Sequence, residues 1–84
     1  MNIRYCEIAP RKLAKAIKLM SSEMGGAPVY VYLHGGEVEL RGQFVVRDDL
    51  IGAYDVSATD EAIIGDMTEA AWQDIEAQRR KLVA

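Results

Sequence analysis

Apolar and polar residues alternate most clearly between residues 29 and 41, on both sides of a Gly-Gly pair. Such alternation is typical of strands with one buried face, and glycine supplies the positive φ angles that a two-residue hairpin turn requires. The pattern therefore predicts an antiparallel hairpin. Its aliphatic row faces the core and consists of Val29, Val31, Leu33, Val38 and Leu40. Its outward row consists of Tyr30, Tyr32, His34, Glu37, Glu39 and Arg41.

The second strand of the hairpin is expected to continue beyond residue 41, because Phe44 and Val46 keep the parity of its aliphatic row. A three-residue loop at residues 47–49 would then return the chain in a third strand. That register places Val46 opposite Leu50. It also places Phe44 opposite Gly52 and Tyr54 opposite Gly42, all on the core face, so that each large ring lies beside a glycine that leaves it room. A two-residue loop would instead turn a carboxylate inward, which is costly. We therefore predict a three-stranded antiparallel meander.

Apolar residues with helical spacing occur both before and after the meander. A first helix is predicted from Pro10, which suits the first turn, to the Gly25-Gly26 pair, which is typical of a helix end. A last helix is predicted from Asp66 onward, after an acidic connection at residues 57–66. Residues 2–7 alternate weakly and predict a short strand. The inward positions of the last helix are expected to be Met67, Ala71, Ile75, Gln78 and Leu82, with Trp72 at their flank.

These elements predict one two-layer α+β domain over residues 1–84. Its order is a short N-terminal strand, a helix, a three-stranded antiparallel meander and a C-terminal helix, with both helices on one face of the sheet. The expected core consists of Val31, Leu33, Val38, Leu40, Phe44 and Val46 beneath Leu13, Ile17, Met20, Ile75 and Leu82.

The composition narrows the class of protein. The net charge of −3 means that the overall field does not attract nucleic acid. Cys6 is the only cysteine, so an internal disulfide is excluded and a reducing compartment, the cytoplasm, is expected. No apolar run approaches the roughly 20 residues of a membrane span, and the first ten residues do not have the pattern of a signal peptide.

The segment VYVYLHGGEVELRGQF resembles the short hairpin of BON domains, in which a glycine-turned strand pair ends in a small residue followed by glycine. The resemblance covers under a fifth of the chain. In that family a helix follows the hairpin at once, whereas VVRDDLIGAYDV is predicted here to be further strand. The resemblance is therefore confined to the hairpin, and no function is carried over from it.

No set of residues predicts catalysis. Cys6 and His34 are the only pair of their kind, and no third residue that would orient them is recognisable. The carboxylates between residues 55 and 66 lack the spacing and the central glycine of a calcium loop, so a solvated acidic loop is the better interpretation. We therefore expect a protein that is not an enzyme and that has no cofactor and no metal site.

The outward row of the hairpin is the best candidate for a binding surface. Tyrosine is favoured in strands and also at protein interfaces, whereas Glu37 and Glu39 would repel a phosphate backbone. The sequence thus favours a small regulator or inhibitor that binds a larger protein, although strand propensity alone also explains the tyrosines. The candidate site residues are Tyr30, Tyr32, His34, Glu39 and Arg41.

Two alternatives remain open at this point. The first is nucleic-acid binding by the basic ridge of the first helix, which consists of Arg11, Lys12, Lys15 and Lys18. Arg11 and Lys12 lie in the first turn, where the helix dipole disfavours cations. This small cost slightly weakens the interpretation that the ridge is simply a solvent-exposed helix face. The second alternative is a homodimer that forms through the outward face of the sheet.

Overall fold

The computed structural model describes the backbone of residues 3–7 and 9–83 and the side chains of residues 9–81. In chain order the elements are β1 (Ile3–Glu7), α1 (Pro10–Glu23), β2 (Val29–His34), β3 (Glu37–Arg41), β4 (Leu50–Tyr54) and α2 (Asp60–Val83). The strands form one antiparallel sheet in the order β1-β3-β2-β4. The predicted α+β class is confirmed, and the N-terminal strand pairs with β3.

Helix α1 begins at Pro10, whose missing N–H is one that the first turn leaves unpaired in any case. Its buried stripe includes Leu13, Ile17 and Met20, as predicted. The helix ends before Gly25 and Gly26, which adopt φ angles of 71° and 89°. Only glycine adopts such angles without strain, so the pair terminates the helix and turns the chain into β2.

The β2–β3 hairpin has the predicted register. Tyr30 pairs with Arg41, Tyr32 with Glu39, and the remaining partners follow from these. Gly35 and Gly36 form the turn with φ angles of 57° and 84°, in the left-handed region that a two-residue hairpin needs. The aliphatic row of the hairpin is buried throughout.

The predicted meander is wrong in its connectivity, because β4 pairs with β2 and not with β3. Strand β3 ends at Arg41, so the predicted partners of Phe44 and Val46 do not form; both side chains are exposed, by 54% and 87%. Because β3 and β4 are each antiparallel to β2, they run parallel to one another on either side of it. Parallel strands cannot be joined by a tight turn and need a crossover. Residues 42–49, called the strap below, provide this connection.

Strand β4 nevertheless turns Tyr54 toward the core, as predicted. Its hydroxyl donates a hydrogen bond of 2.8 Å to Asp66 of α2, and burial together with this bond raises the pKa of Tyr54. Gly52 lies so close to this ring that an added Cβ would meet the hydroxyl oxygen at 2.9 Å. The register shifts between Val31 and Tyr32, where β4 carries a bulge.

Helix α2 begins at Asp60, six residues before the predicted start. Thr59 caps it, since its hydroxyl accepts the N–H of Ala62 at 3.2 Å. The early start brings Ile63 into the core beside Met67. The prediction that Ile75 is a core residue is wrong, because its side chain is 49% exposed. The predicted core position of Leu82 falls outside the described side chains.

Both helices pack on the face of the sheet that carries the aliphatic row, so the two-layer arrangement is confirmed. The buried cluster consists of Leu13, Ala14, Ile17, Met20, Val29, Val31, Leu33, Val38, Leu40, Tyr54, Ile63 and Met67. The opposite face of the sheet carries the outward row of the hairpin, and this is the face that the strap crosses.

Candidate interaction surface

The strap closes over Tyr32, the central side chain of the outward row. The Tyr32 hydroxyl donates a hydrogen bond to the carbonyl of Val45 at 2.8 Å and accepts one from the N–H of the same residue at 2.7 Å. The ring itself is 0% exposed. One side chain of the sheet therefore fixes the backbone of the strap at its midpoint, in the way that a neighbouring strand would.

A second anchor lies two residues further along the strap. The guanidinium of Arg47 lies over the Tyr32 ring, with its central carbon 4.6 Å from the ring centroid. It donates to Glu39 of β3 at 3.0 Å and to both carboxylate oxygens of Asp49. A cation held by two carboxylates above an aromatic face combines charge-assisted hydrogen bonds with cation–π attraction. The strap is thus tied to both β2 and β3.

The charged groups of this anchor interact mainly with one another, and these interactions shift their pKa values. Burial alone would raise the pKa of Glu39, but hydrogen bonds from Arg41 and Arg47, with their charges, outweigh burial and hold that pKa below its usual value. The hydrogen bond from Arg47 likewise lowers the pKa of Asp49, and the two carboxylates raise the pKa of Arg47. Glu39, Asp49 and Arg47 therefore stay charged at neutral pH, and their charges are paired within the anchor.

Between and beside these anchors the strap exposes two apolar side chains. The backbone of Val45 and the side chain of Arg47 contact the sheet, whereas the side chains of Phe44 and Val46 are exposed. The Phe44 ring packs edge-on against Tyr30, with centroids 5.7 Å apart and an angle of 62°. The result is an exposed apolar patch on a backbone that is held in place. We define the strap patch as Tyr30, Phe44 and Val46.

The five residues predicted as a binding surface are therefore divided by the structure. Tyr32 and Glu39 are buried, so they lie behind the strap and do not form an open surface. Tyr30 is half-buried under Phe44, and Arg41 binds Glu39. His34 is exposed at the hairpin end, at a distance from the strap patch along β2. Parity placed these side chains on the correct face, but the expectation that this face is open is wrong for Tyr32 and Glu39.

Sequence analysis missed Phe44 and Val46 as surface residues, because their parity extends that of a buried row. One signal was present in the sequence. The outward row carries Tyr32 and Glu39, and arginines follow at residues 41 and 47. A large ring and a carboxylate with two cations nearby suit a covered, hydrogen-bonded face as well as an open one.

The basic ridge of α1 is mostly open to solvent. Arg11, Lys12 and Lys15 are exposed and form no ion pair within the described part of the chain. Lys18, the fourth predicted member, binds Asp60 at the start of α2. Three of the four cations are thus free to meet an anionic partner.

A groove of about 760 Å³ lies between the second half of α2 and the end of the hairpin. Its acidic lining includes Asp48, Asp49, Asp66, Glu69 and Asp74. Asp49 is bound by Arg47, and Asp66 accepts the Tyr54 hydroxyl. Among the described side chains, no three histidine, cysteine, aspartate or glutamate residues come together as ligands for a metal ion.

Comparison with protein-family models, with curated proteins and with solved structures finds no match for this chain. Over the residues that the structure describes, neither helix has the apolar length needed to span a membrane. The interpretation of function therefore depends on the surfaces of the molecule itself.

Proposed function

We propose that the protein is a non-enzymatic binding domain, a small regulator or inhibitor that attaches to a larger protein through the strap patch. The observation that carries this proposal is the exposure of Phe44 and Val46, at 54% and 87%, on a strap fixed by Tyr32 and Arg47. Exposed apolar groups that are clustered often mark interaction sites.

The anchors support the proposal on energetic grounds. A flexible loop loses conformational entropy when it binds, at about 0.5–1.5 kcal/mol for each side chain that is immobilised. On either side of Val46, the backbone of Val45 is held by the Tyr32 hydroxyl and the side chain of Arg47 is held by Glu39 and Asp49, so part of this ordering is complete before any partner arrives. Aromatic and aliphatic anchors on a preorganised loop suit a partner with a concave apolar site, which is the geometry of many inhibitor complexes.

The proposal is tested by comparing capture from the native host lysate by three forms of the chain. These are the wild type, the Phe44→Ser/Val46→Ser variant and the control Leu19→Ser, which changes an equally exposed apolar residue on α1. We expect a partner that the wild type and the control retain and that the double variant loses by at least about tenfold, since interface hot spots contribute about 2 kcal/mol or more. All three forms should melt alike, because the replaced side chains are exposed. Partners that the double variant retains at wild-type levels would contradict the proposal.

A second candidate function rests on the exposed cations of α1. Arg11, Lys12 and Lys15 present an anion-binding face, and phosphate contacts give a binding constant that falls steeply with salt. Retention on single- and double-stranded DNA and RNA columns, measured against salt concentration, tests this function. Arg11→Glu/Lys15→Glu would abolish such retention, whereas Phe44→Ser/Val46→Ser would leave it unchanged. Absence of retention even at low salt would eliminate this candidate.

A further inference from the structure

In the second half of α2, the large apolar side chains do not face the core of the domain. The side that lines the groove toward the hairpin carries small and polar residues such as Ala70, Gln73 and Ala77. The largest apolar side chains of this half, Trp72 and Ile75, are instead 61% and 49% exposed. At about 100° per residue, Trp72 lies directly opposite the buried Ile63. Packing within the described domain therefore does not explain why these positions are apolar.

The exposed residues follow the spacing of a helix-pairing seam. Thr68, Trp72, Ile75 and Arg79 are separated by steps of four, three and four residues, which is the spacing that keeps one stripe facing a neighbouring helix. Helix α2 is about 36 Å long at 1.5 Å per residue, in a molecule whose longest extent is 46 Å. The seam thus occupies a long and accessible edge of the protein.

The charges of this half specify the direction of a pairing helix. Acidic residues occur up to residue 76, and Arg79, Arg80 and Lys81 follow together at the end. A second copy running parallel would place each of these charges beside its own equivalent, which is unfavourable. A copy running antiparallel, with Trp72 against Ile75 of the other copy, brings residues 79–81 within reach of Glu69 of the other copy. The two-fold axis repeats this match at both ends.

We propose that the exposed stripe of α2 is a self-association surface, at which a second copy of this chain docks its own α2 antiparallel. We assign a second copy as the partner because the charges of α2 pair with the charges of the same helix running in the opposite direction. Glu69 and Arg80 lie on the same flank of the seam, about 20° apart around the helix. This surface is separate from the strap patch, so the proposal does not depend on the proposed function.

The first test measures the mass in solution of the full chain by sedimentation over a range of concentrations, together with the fluorescence of Trp72. This residue is the only tryptophan in the sequence, so its emission reports on the seam alone. We expect a dimer at high concentration and a shift of the emission to shorter wavelength as the dimer forms. Ile75→Glu should abolish both changes, because it would bury a charge in the seam. The matched control Leu19→Glu and the strap variant Phe44→Ser/Val46→Ser should leave both unchanged. A monomer at every concentration would overturn the proposal.

The second test distinguishes antiparallel pairing from every other mode by charge exchange. Glu69→Lys and Arg80→Glu should each weaken the dimer by roughly tenfold, because each places like charges together at both ends. An equal mixture of the two variants should restore wild-type association, since every mixed pair again has opposite charges at both ends. Circular dichroism establishes that each variant is folded. If the single variants associate like the wild type, or if the mixture fails to recover, the antiparallel seam is wrong.

Discussion

The hydroxyl of Tyr32 holds the strap in place, and its removal is the most direct test of that role. We expect Tyr32→Phe to lower the free energy of unfolding by about 1–3 kcal/mol, because the N–H and the carbonyl of Val45 both lose a partner in a partly buried position. The ring and its contact with Arg47 would remain. Chemical denaturation of the wild type and the variant measures this change.

Tyr30→Phe is the matched control for that experiment. Its hydroxyl takes part in none of the hydrogen bonds of the described residues, so its removal should change the stability by less than about 0.5 kcal/mol. Equal losses in the two variants would show that the Tyr32 hydroxyl is not an anchor of the strap.

Single residues also show what parity can and cannot predict. Alternation correctly assigned Val31, Val38 and Leu40 to the core and Tyr32 to the opposite face, because side-chain direction in a strand has a period of two. It did not predict that Tyr32 is buried. Burial on that face depends on residues 42–49, which approach Tyr32 only in the folded chain.

At the scale of elements, α2 contains a glycine that the packing does not require. A Cβ added at Gly65 would have no atom within 4 Å. We therefore expect Gly65→Ala to stabilise the protein by about 0.5–1 kcal/mol, since alanine loses less backbone entropy in a helix. Thermal denaturation followed by circular dichroism measures the gain.

Gly52→Ala provides the contrasting control in β4. Its Cβ would meet the Tyr54 hydroxyl oxygen at 2.9 Å, so the ring that donates to Asp66 would have to shift. We expect this variant to be less stable than the wild type. A loss at residue 65 or a gain at residue 52 would contradict the packing described for the two elements.

Elements that depend on neighbouring residues were easier to predict than those that depend on residues far apart in the sequence. The register of the β2–β3 hairpin was predicted in full, because a two-residue Gly-Gly turn determines it locally. The partner of β4 was not, since either edge of the hairpin is open to a third strand and the strap is long enough to reach both. The early start of α2 was missed because the acidic residues before Asp66 were interpreted as a loop, although Thr59 is a standard capping residue.

At the scale of the whole molecule, stability should fall at both ends of the pH range. Glu39 and Asp49 have folded pKa values below their ordinary values of 4.5 and 3.8. Their contribution is complete above these values and is lost as the pH falls through the folded pKa values. Tyr54 has a folded pKa above its ordinary value of 10.0, so its contribution is complete below pH 10.0 and is lost as the pH rises further.

Denaturation measured across the pH range tests separately the loss of stability at low pH, the acid limb, and the loss at high pH, the alkaline limb. Glu39→Gln should flatten the acid limb while lowering stability at neutral pH, and Tyr54→Phe should flatten the alkaline limb. An acid limb that is unchanged in Glu39→Gln would show that the ion pairs of the strap do not contribute to folding.

The candidate surface of the whole molecule was predicted only in part. The alternating pattern placed Tyr30 and Tyr32 on the face of the sheet that the strap crosses, and the helical spacing placed Arg11, Lys12 and Lys15 on the exposed side of α1. Sequence analysis could not identify the strap patch, because Phe44 and Val46 continue a buried pattern in sequence while the chain leaves the sheet at Arg41. A crossover connection depends on which strands pair, and no local pattern contains that information.

The two anchors of the strap have a consequence for sequence variation. Tyr32 binds only backbone atoms of Val45, and Arg47 binds Glu39 and Asp49. The side chains at residues 44 and 46 take no part in these contacts. We therefore expect the fold to tolerate substitution at these two positions, so that new binding specificities could be selected there from a library without changes to the rest of the protein. Residues 44 and 46 of the strap could thus change while the sheet beneath them stays the same.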